Sequence, residues 1–217
     1  NNDGGPNFEQ HVKVAATIFG GISSTENKRD WKTTLRRVNA GSAADASLAP
    51  FYRPRSEVPI SFDRTDQWAD LPDMGRFLLV LSANIHKVCC DKMLIDGGSA
   101  INLLFSNAFQ ELGCKKDDLQ ATSANFWGVI PRKASKPMGE ITLLVQFGLE
   151  DNFRKEWINF YVADFENAYH AILGRPTLTK FMAVPHYSYL VLKMPSPPGH
   201  TLPLANLQMA HTCEAEI

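Results

Sequence analysis

The residues with the clearest chemical potential stand at the end of one apolar run. Met93-Leu94-Ile95 leads into Asp96, and Gly97, Gly98 and Ser99 follow at once. A strand that ends in an acid and a glycine turn can hold a carboxylate still. The backbone approaches closely where there is no Cβ, and amides of the turn can hydrogen-bond the acid. Taken alone, an Asp before Gly is also ordinary turn chemistry. A second segment, Ala171-Ile172-Leu173-Gly174-Arg175-Pro176, repeats the pattern of apolar residues, glycine and a helix start. Such a pseudo-repeat would set the second strand beside the first and cover the turn of the acid. Ser99 has no Gly-x-Ser-x-Gly context for a serine nucleophile. Gly97-Gly98 is not followed by the Gly-Lys-Ser/Thr of a phosphate loop. His170 and His186 read as surface or satisfied histidines rather than ligands.

The 217 residues suit one domain with extensions, or two small ones. Hydrophobic residues make up 44% and charged residues 21%, enough apolar content for a packed core. The net charge of −1 argues against a strongly basic nucleic-acid binder. Lys28, Arg29, Lys32, Arg36 and Arg37 cluster around Trp31, but Glu26 and Asp30 dilute the charge, so the segment reads as a solvated, partly helical linker. The alternative, a nucleic-acid-associated spacer using residues 28–37, rests on that cluster alone. The four cysteines, Cys89, Cys90, Cys114 and Cys213, form no Cys-x-x-Cys pair, so no metal site is expected and the thiols read as reduced. Cys89 and Cys90 would point to opposite faces of a strand. No apolar run reaches the ~18 residues of a membrane span, and the polar, Gly-rich start has no signal-peptide core. An intracellular, cytoplasmic protein is the expectation, and the missing initiator Met suggests a piece of something longer.

These residues need elements to position them. Residues 1–57 are rich in Gly, Ser, Ala, Asn and Asp and read as a weakly ordered linker, with Val14–Phe19 a possible short strand. Val58–Phe62 reads as an edge strand and Asp66–Leu71 as a turn or one helical turn. The apolar run Phe77–Leu81 suits a buried strand, Asn84 and His86 flank a hairpin turn, and Val88–Ile95 returns as the strand that delivers Asp96. Phe105, Ala108, Phe109 and Leu112 fall on one helical face, closed by Gly113. Ser123–Val129 reads as a strand and Pro131–Pro137 as a polar hairpin tip. Ile141, Leu143, Val145 and Phe147 give the next strand one apolar face, and Trp157–Val162 is a strand with aromatics on both faces. Pro176 suits the first position of a helix whose buried face is Leu178, Phe181 and Met182. Tyr187–Met194 alternates as a final strand, and the tail from Pro195, residues 196–217 above all, is expected to be loosely held. The pattern predicts a mainly β domain over 58–195, a small barrel or sandwich with two short helices.

Three stretches carry a resemblance. Leu94-Ile95-Asp96-Gly97-Gly98-Ser99-Ala100, Phe126-Trp127-Gly128-Val129-Ile130-Pro131 and Ala168-Tyr169-His170-Ala171-Ile172-Leu173-Gly174-Arg175-Pro176 together resemble the aspartic protease region of a plant gypsy-type long-terminal-repeat retrotransposon polyprotein. Phe181–Pro185, Tyr187–Leu190, Ile60-Ser61-Phe62 and Asp66-Gln67-Trp68 resemble that region as well. The likeness implies a retropepsin-like fold, a small closed β-barrel with flexible ends, and no cofactor. It implies that Asp96 is one half of a catalytic pair completed by a second copy, since the chain holds one such triplet. Gly97, Gly98 and Ser99 would be the active-site turn. Trp127, Gly128 and Val129 would sit in a flap touching a polypeptide substrate, the chain's own precursor. Ile172, Leu173, Gly174 and Arg175 would form the supporting turn, and residues 196–217 would lead towards a polymerase region.

Position 97 departs from the family pattern. The usual Thr or Ser there donates a hydroxyl hydrogen bond that braces the two active-site loops across the dimer. Glycine lacks it, at a net cost of about 1 kcal/mol per subunit. Ser99 is the residue that could replace part of the brace, by bonding the turn backbone or Asp96. The alternative function is therefore the same fold acting as a catalytically weak or inactive dimerisation or peptide-binding module.

Overall fold

The structure, a computed structural model, describes residues 58–67, 74–123, 126–130, 133–196, 199–201, 206, 208, 209 and 212. The expected linker 1–57, with its strand at Val14–Phe19 and its basic cluster at 28–37, lies outside the described residues, as do Trp68 and Cys213. No helix among the described residues is long and apolar enough to cross a membrane.

Among the described residues, eleven strands and two α-helices follow in order: β1 Val80–Ile85, β2 Val88–Ile95, β3 Leu103–Leu104, α1 Ser106–Glu111, β4 Phe126–Ile130, β5 Lys133–Ser135, β6 Gly139–Leu149, β7 Asn152–Val162, β8 Ala171–Leu173, α2 Arg175–Phe181, β9 Val184–His186, β10 Val191–Ser196 and β11 Gly199–Thr201. Strands β1, β2, β8, β3, β7 and β6 close in that order into a barrel. The fold is thus mainly β, a closed six-stranded barrel with two short helices. A three-stranded sheet, β11-β10-β9, and the separate hairpin β4–β5 complete it.

Period-two alternation builds the long hairpin. Ile141, Leu143, Val145 and Phe147 of β6 point inward and meet Ile158, Phe160 and Val162 of β7. Phe153 and Trp157 point outward, so β7 does carry aromatics on both faces. The β1–β2 hairpin turns at His86, whose φ of 54° is the left-handed value a two-residue turn requires. Cys89 is exposed and Cys90 buried, on the opposite faces that adjacent strand residues take. Helix α1 buries Ala108 and Phe109, and Gly113 at φ 71° ends that segment. A second cluster, Val80, Leu103, Phe105, Ala163 and Tyr169, forms apart from the main core.

The structure corrects four local expectations. Val58–Phe62 is no strand: Pro59 lacks an N–H, and the Ser61 carbonyl accepts a hydrogen bond from Lys193 Nζ at 2.8 Å instead of joining a ladder. Met182 does not belong to the buried face of α2. It ends the helix in the left-handed conformation at φ 50°, and Thr177 is buried in its place. The final strand does not span Tyr187–Met194 with alternating burial. Residues 187–190 form a turn, and every residue of β10 is buried, because one face meets the barrel core and Lys193 meets the lead-in segment. The tail is not simply loose: β11 pairs with β10, the Asn206 N–H donates to Val80 O at 3.0 Å, and Met209 packs against the second cluster.

Lys193 explains how the lead-in is held. Its ammonium lies 2.6 Å from Asp66, both side chains about one-twentieth exposed, and 5.0 Å from the Phe62 ring centre. Removing one partner leaves a buried charge uncompensated. Asp66→Ala should therefore destabilise the fold by about 3 kcal/mol, and Asp66→Ala with Lys193→Met should recover most of that loss, read from urea midpoints. Burial first, then the neighbouring acidic groups, pushes the Cys90 thiol up to about 11 from 9.0. The unfolded thiol then ionises at lower pH than the folded one, so stability holds below pH 9.0 and falls as pH rises towards 11. Cys90→Ala should flatten that alkaline limb in a pH series of thermal melts.

Candidate active site

Strands β2 and β8 run parallel, pairing Met93 with Ala171, Leu94 with Ile172 and Ile95 with Leu173. This is the juxtaposition that the two apolar-glycine segments suggest. Strand β3 lies on the other side of β8, so the chain passes from β2 through the Asp96 turn, and β8 later inserts between them. The Asp96 N–H donates to Leu173 O at 3.0 Å, which carries the ladder to the acid itself.

Asp96 is half-buried, and its Oδ1 accepts the Gly98 N–H at 2.8 Å. The turn closes with Ser99 N–H donating to Asp96 O at 3.2 Å. A Cβ at Gly98 would come 3.1 Å from Asp96 Oδ1, tighter than ordinary contact, so glycine there leaves room for the carboxylate. Gly97 is different. A Cβ there would meet only the Tyr187 hydroxyl among the described residues, at an ordinary 3.7 Å. Ser99 bonds the backbone and not the acid: its Oγ donates to Ile101 O at 2.8 Å and accepts from Ile101 N–H at 3.3 Å.

Gly174 is where the two turns touch. A Cβ there would lie 2.2 Å from Ile101 O and 2.8 Å from Ser99 O, distances no side chain tolerates. The next residue extends the contact, with Arg175 N–H donating to Ser99 O at 2.9 Å and its guanidinium reaching Gly98 O at 3.4 Å. Structure thus brings together Asp96, Gly97, Gly98, Ser99, Leu173, Gly174 and Arg175. Ile172 is half-buried and packs with the second cluster instead of meeting the acid. Trp127, Gly128 and Val129 lie on β4, in the hairpin that stands as its own two-stranded sheet, and their side chains lie outside the described residues.

Two residues escaped the sequence reading. Asn102 is buried between the turns, and its Oδ1 accepts from Gly174 N–H at 3.0 Å and from the Thr177 hydroxyl at 2.8 Å. Its amide donates to Asn159 O at 2.9 Å. An Asn inside the apolar run Ile101-Asn102-Leu103-Leu104 was the available signal, since a buried amide needs partners. Tyr187 gave no such signal. Among the described residues no group of three or more His, Cys, Asp or Glu side chains gathers as a metal site.

No known protein-family model matches the chain, and no curated protein matches it in sequence. Solved structures similar to it in fold include two protease-like domains. The retroviral protease-like domain of Ddi1 from Leishmania major is 14% identical at a TM-score of 0.44, over 60% of this chain and 97% of that one. A retropepsin-like aspartic protease from Rickettsia conorii is 18% identical at a TM-score of 0.40, over 56% of this chain and 83% of that one.

The close approach at Gly174 yields a comparison within one site. Gly174→Ala should destabilise the protein by about 3 kcal/mol, at the upper end for overpacking, because the atoms it strikes are backbone. Gly97→Ala should leave the thermal midpoint nearly unchanged. Equal midpoints for the two variants would contradict the packing described for Gly174.

Proposed function

We propose that this chain is an aspartic endopeptidase domain of a plant gypsy-type retrotransposon polyprotein, and that two copies pair to complete the site. The observation that carries this reading is the parallel β2–β8 pair, which sets Leu173-Gly174-Arg175 beneath the turn of Asp96. A carboxylate fixed by its own turn amide, on a strand end propped by a second glycine turn, is a rigid half-site. Rigidity matters because small misplacements of reacting groups cost rate steeply.

Two such carboxylates a few Å apart cannot both ionise, so a pair holds one proton. The ionised Asp96 of the pair takes a proton from a water as it attacks the peptide carbonyl. The protonated one donates to the carbonyl oxygen, and the roles then exchange to protonate the leaving amine. Trp127, Gly128 and Val129, on the separate β4–β5 hairpin, would cover the peptide and exclude water. The substrate is a polypeptide, the chain's own precursor, cut inside the cell that makes it. Free Cys89, Cys90 and Cys114 suit that setting.

Gly97 favours a second reading, the same half-site in a dimerisation or peptide-binding module with little catalysis. One assay separates the two. The purified chain, at a concentration where dimerisation has been checked, is incubated with a peptide library at about pH 5. Asp96→Asn should abolish cleavage while leaving the dimer intact. Cleavage that survives the substitution sinks the protease reading, and a confirmed wild-type dimer that cleaves nothing favours the binding module.

A further inference from the structure

Gly97 leaves one side of the Asp96 turn without a side chain, and a phenol occupies that side. Beyond Gly97 and its two chain neighbours, the Tyr187 hydroxyl is the one heavy atom among the described residues within 4 Å of a Cβ built at Gly97, at 3.7 Å. Tyr187 is 46% exposed, so its place is not dictated by burial in the core.

The turn that presents it is held from several directions. Leu190 takes the left-handed conformation at φ 52° and is fully buried in the barrel core. A bulky residue with positive φ persists only where its surroundings over-determine it. The Tyr189 N–H donates to His186 Nδ1 at 3.2 Å, and the two rings stack with centres 4.1 Å apart and planes 17° apart. The Phe62 ring lies 4.8 Å from His186 on the lead-in segment. Strands β9 and β10 pair on either side, His186 with Val191. A strained, clamped turn that ends in an exposed hydroxyl beside the proposed catalytic turn is a functional arrangement in form. Strain of this kind gathers where a group must be held in place.

We propose that Tyr187 is the positioning residue of the Asp96 turn. Its hydroxyl, able both to donate and to accept, takes the place that a hydroxyl side chain at position 97 would fill. It restrains the turn through Gly97 and so keeps the Asp96 carboxylate in register. The glycine and the tyrosine are then one device: the missing side chain makes the room, and the phenol from β9–β10 fills it. This inference rests on the protease reading for its catalytic consequence, but the restraint itself can be measured apart from catalysis.

The test compares wild type, Tyr187→Phe, Gly97→Ser and the double variant, all as the full chain. Amide hydrogen exchange at residues 97–99 reports the restraint, and amides of β6 and β7 serve as the control for an intact fold. Tyr187→Phe should speed exchange at 97–99 with β6 and β7 unchanged, and Gly97→Ser on that background should slow it again. With a cleavable peptide, Tyr187→Phe should lower kcat roughly tenfold at unchanged KM, as looser placing of a reacting group would, and the serine should restore most of it. Unchanged exchange at 97–99 in Tyr187→Phe overturns the proposal, and so does a loss that the serine leaves uncorrected. Altered exchange in a chain that shows no Asp96-dependent cleavage supports the restraint and refutes the protease reading instead.

Discussion

Gly174 meets the carbonyl oxygens of Ser99 and Ile101 at a distance that admits only a hydrogen atom on its Cα. That approach lets β8 slide in between β2 and β3, and from it follows most of what surrounds Asp96. The parallel ladder ends on the Asp96 amide. The following residue bonds back to Ser99, so each turn borrows backbone partners from the other. Parallel neighbours cannot be joined by a tight turn. The intervening chain, from Gly97 to His170, is long enough to supply a helix, a hairpin and the two longest strands before it returns.

Such a junction buries polar backbone, and its donors and acceptors must be matched. Asn102 does much of that matching from the centre of the junction, serving Gly174, Thr177 and Asn159 with one amide group. Elsewhere buried charge does the same work. The Arg154 guanidinium reaches the carbonyls of Phe181, Lys180 and Pro195 and the carboxylate of Glu156, tying the end of α2 and the end of β10 to β7. Lys193 ties the lead-in to β10 through Asp66 and Ser61. The end of α2 and the end of β10 are thus fastened to β7 by one cation bonded to their backbone oxygens, while Leu192 and Met194 of β10 pack into the barrel core. The same region carries Tyr187, so its attachment bears on the Asp96 turn.

Legibility followed the range of the interaction. Strand β2 was readable to its ends, because Val88 follows a hairpin signal and the apolar Met93-Leu94-Ile95 runs into an acid-glycine turn. The inward face of β6 was readable from alternation alone, and the start of α2 from Pro176 after Gly174. Strand β10 was misread because its burial does not alternate: Lys193 is covered by Phe62 and Asp66, residues far upstream that no local window includes. Val58–Phe62 looked like a strand for its apolar residues, yet its Ser61 carbonyl is used by that same lysine. Met182 looked like a core residue by spacing, but the helix had already turned left-handed there.

By itself the sequence determined the local chemistry: an acid before two glycines, a second apolar run before a glycine, and the periodicities that make a mainly β chain with two short helices. Those features are set by φ/ψ preference and by alternation, which neighbours in sequence decide. Only the tertiary structure decided that the two glycine runs lie side by side in parallel, that Asn102 is shared between them, and that a tyrosine stands where Gly97 has no side chain. Each of these joins residues far apart in the chain. Their contact depends on barrel closure and on the register of β8 between β2 and β3, which no local preference specifies.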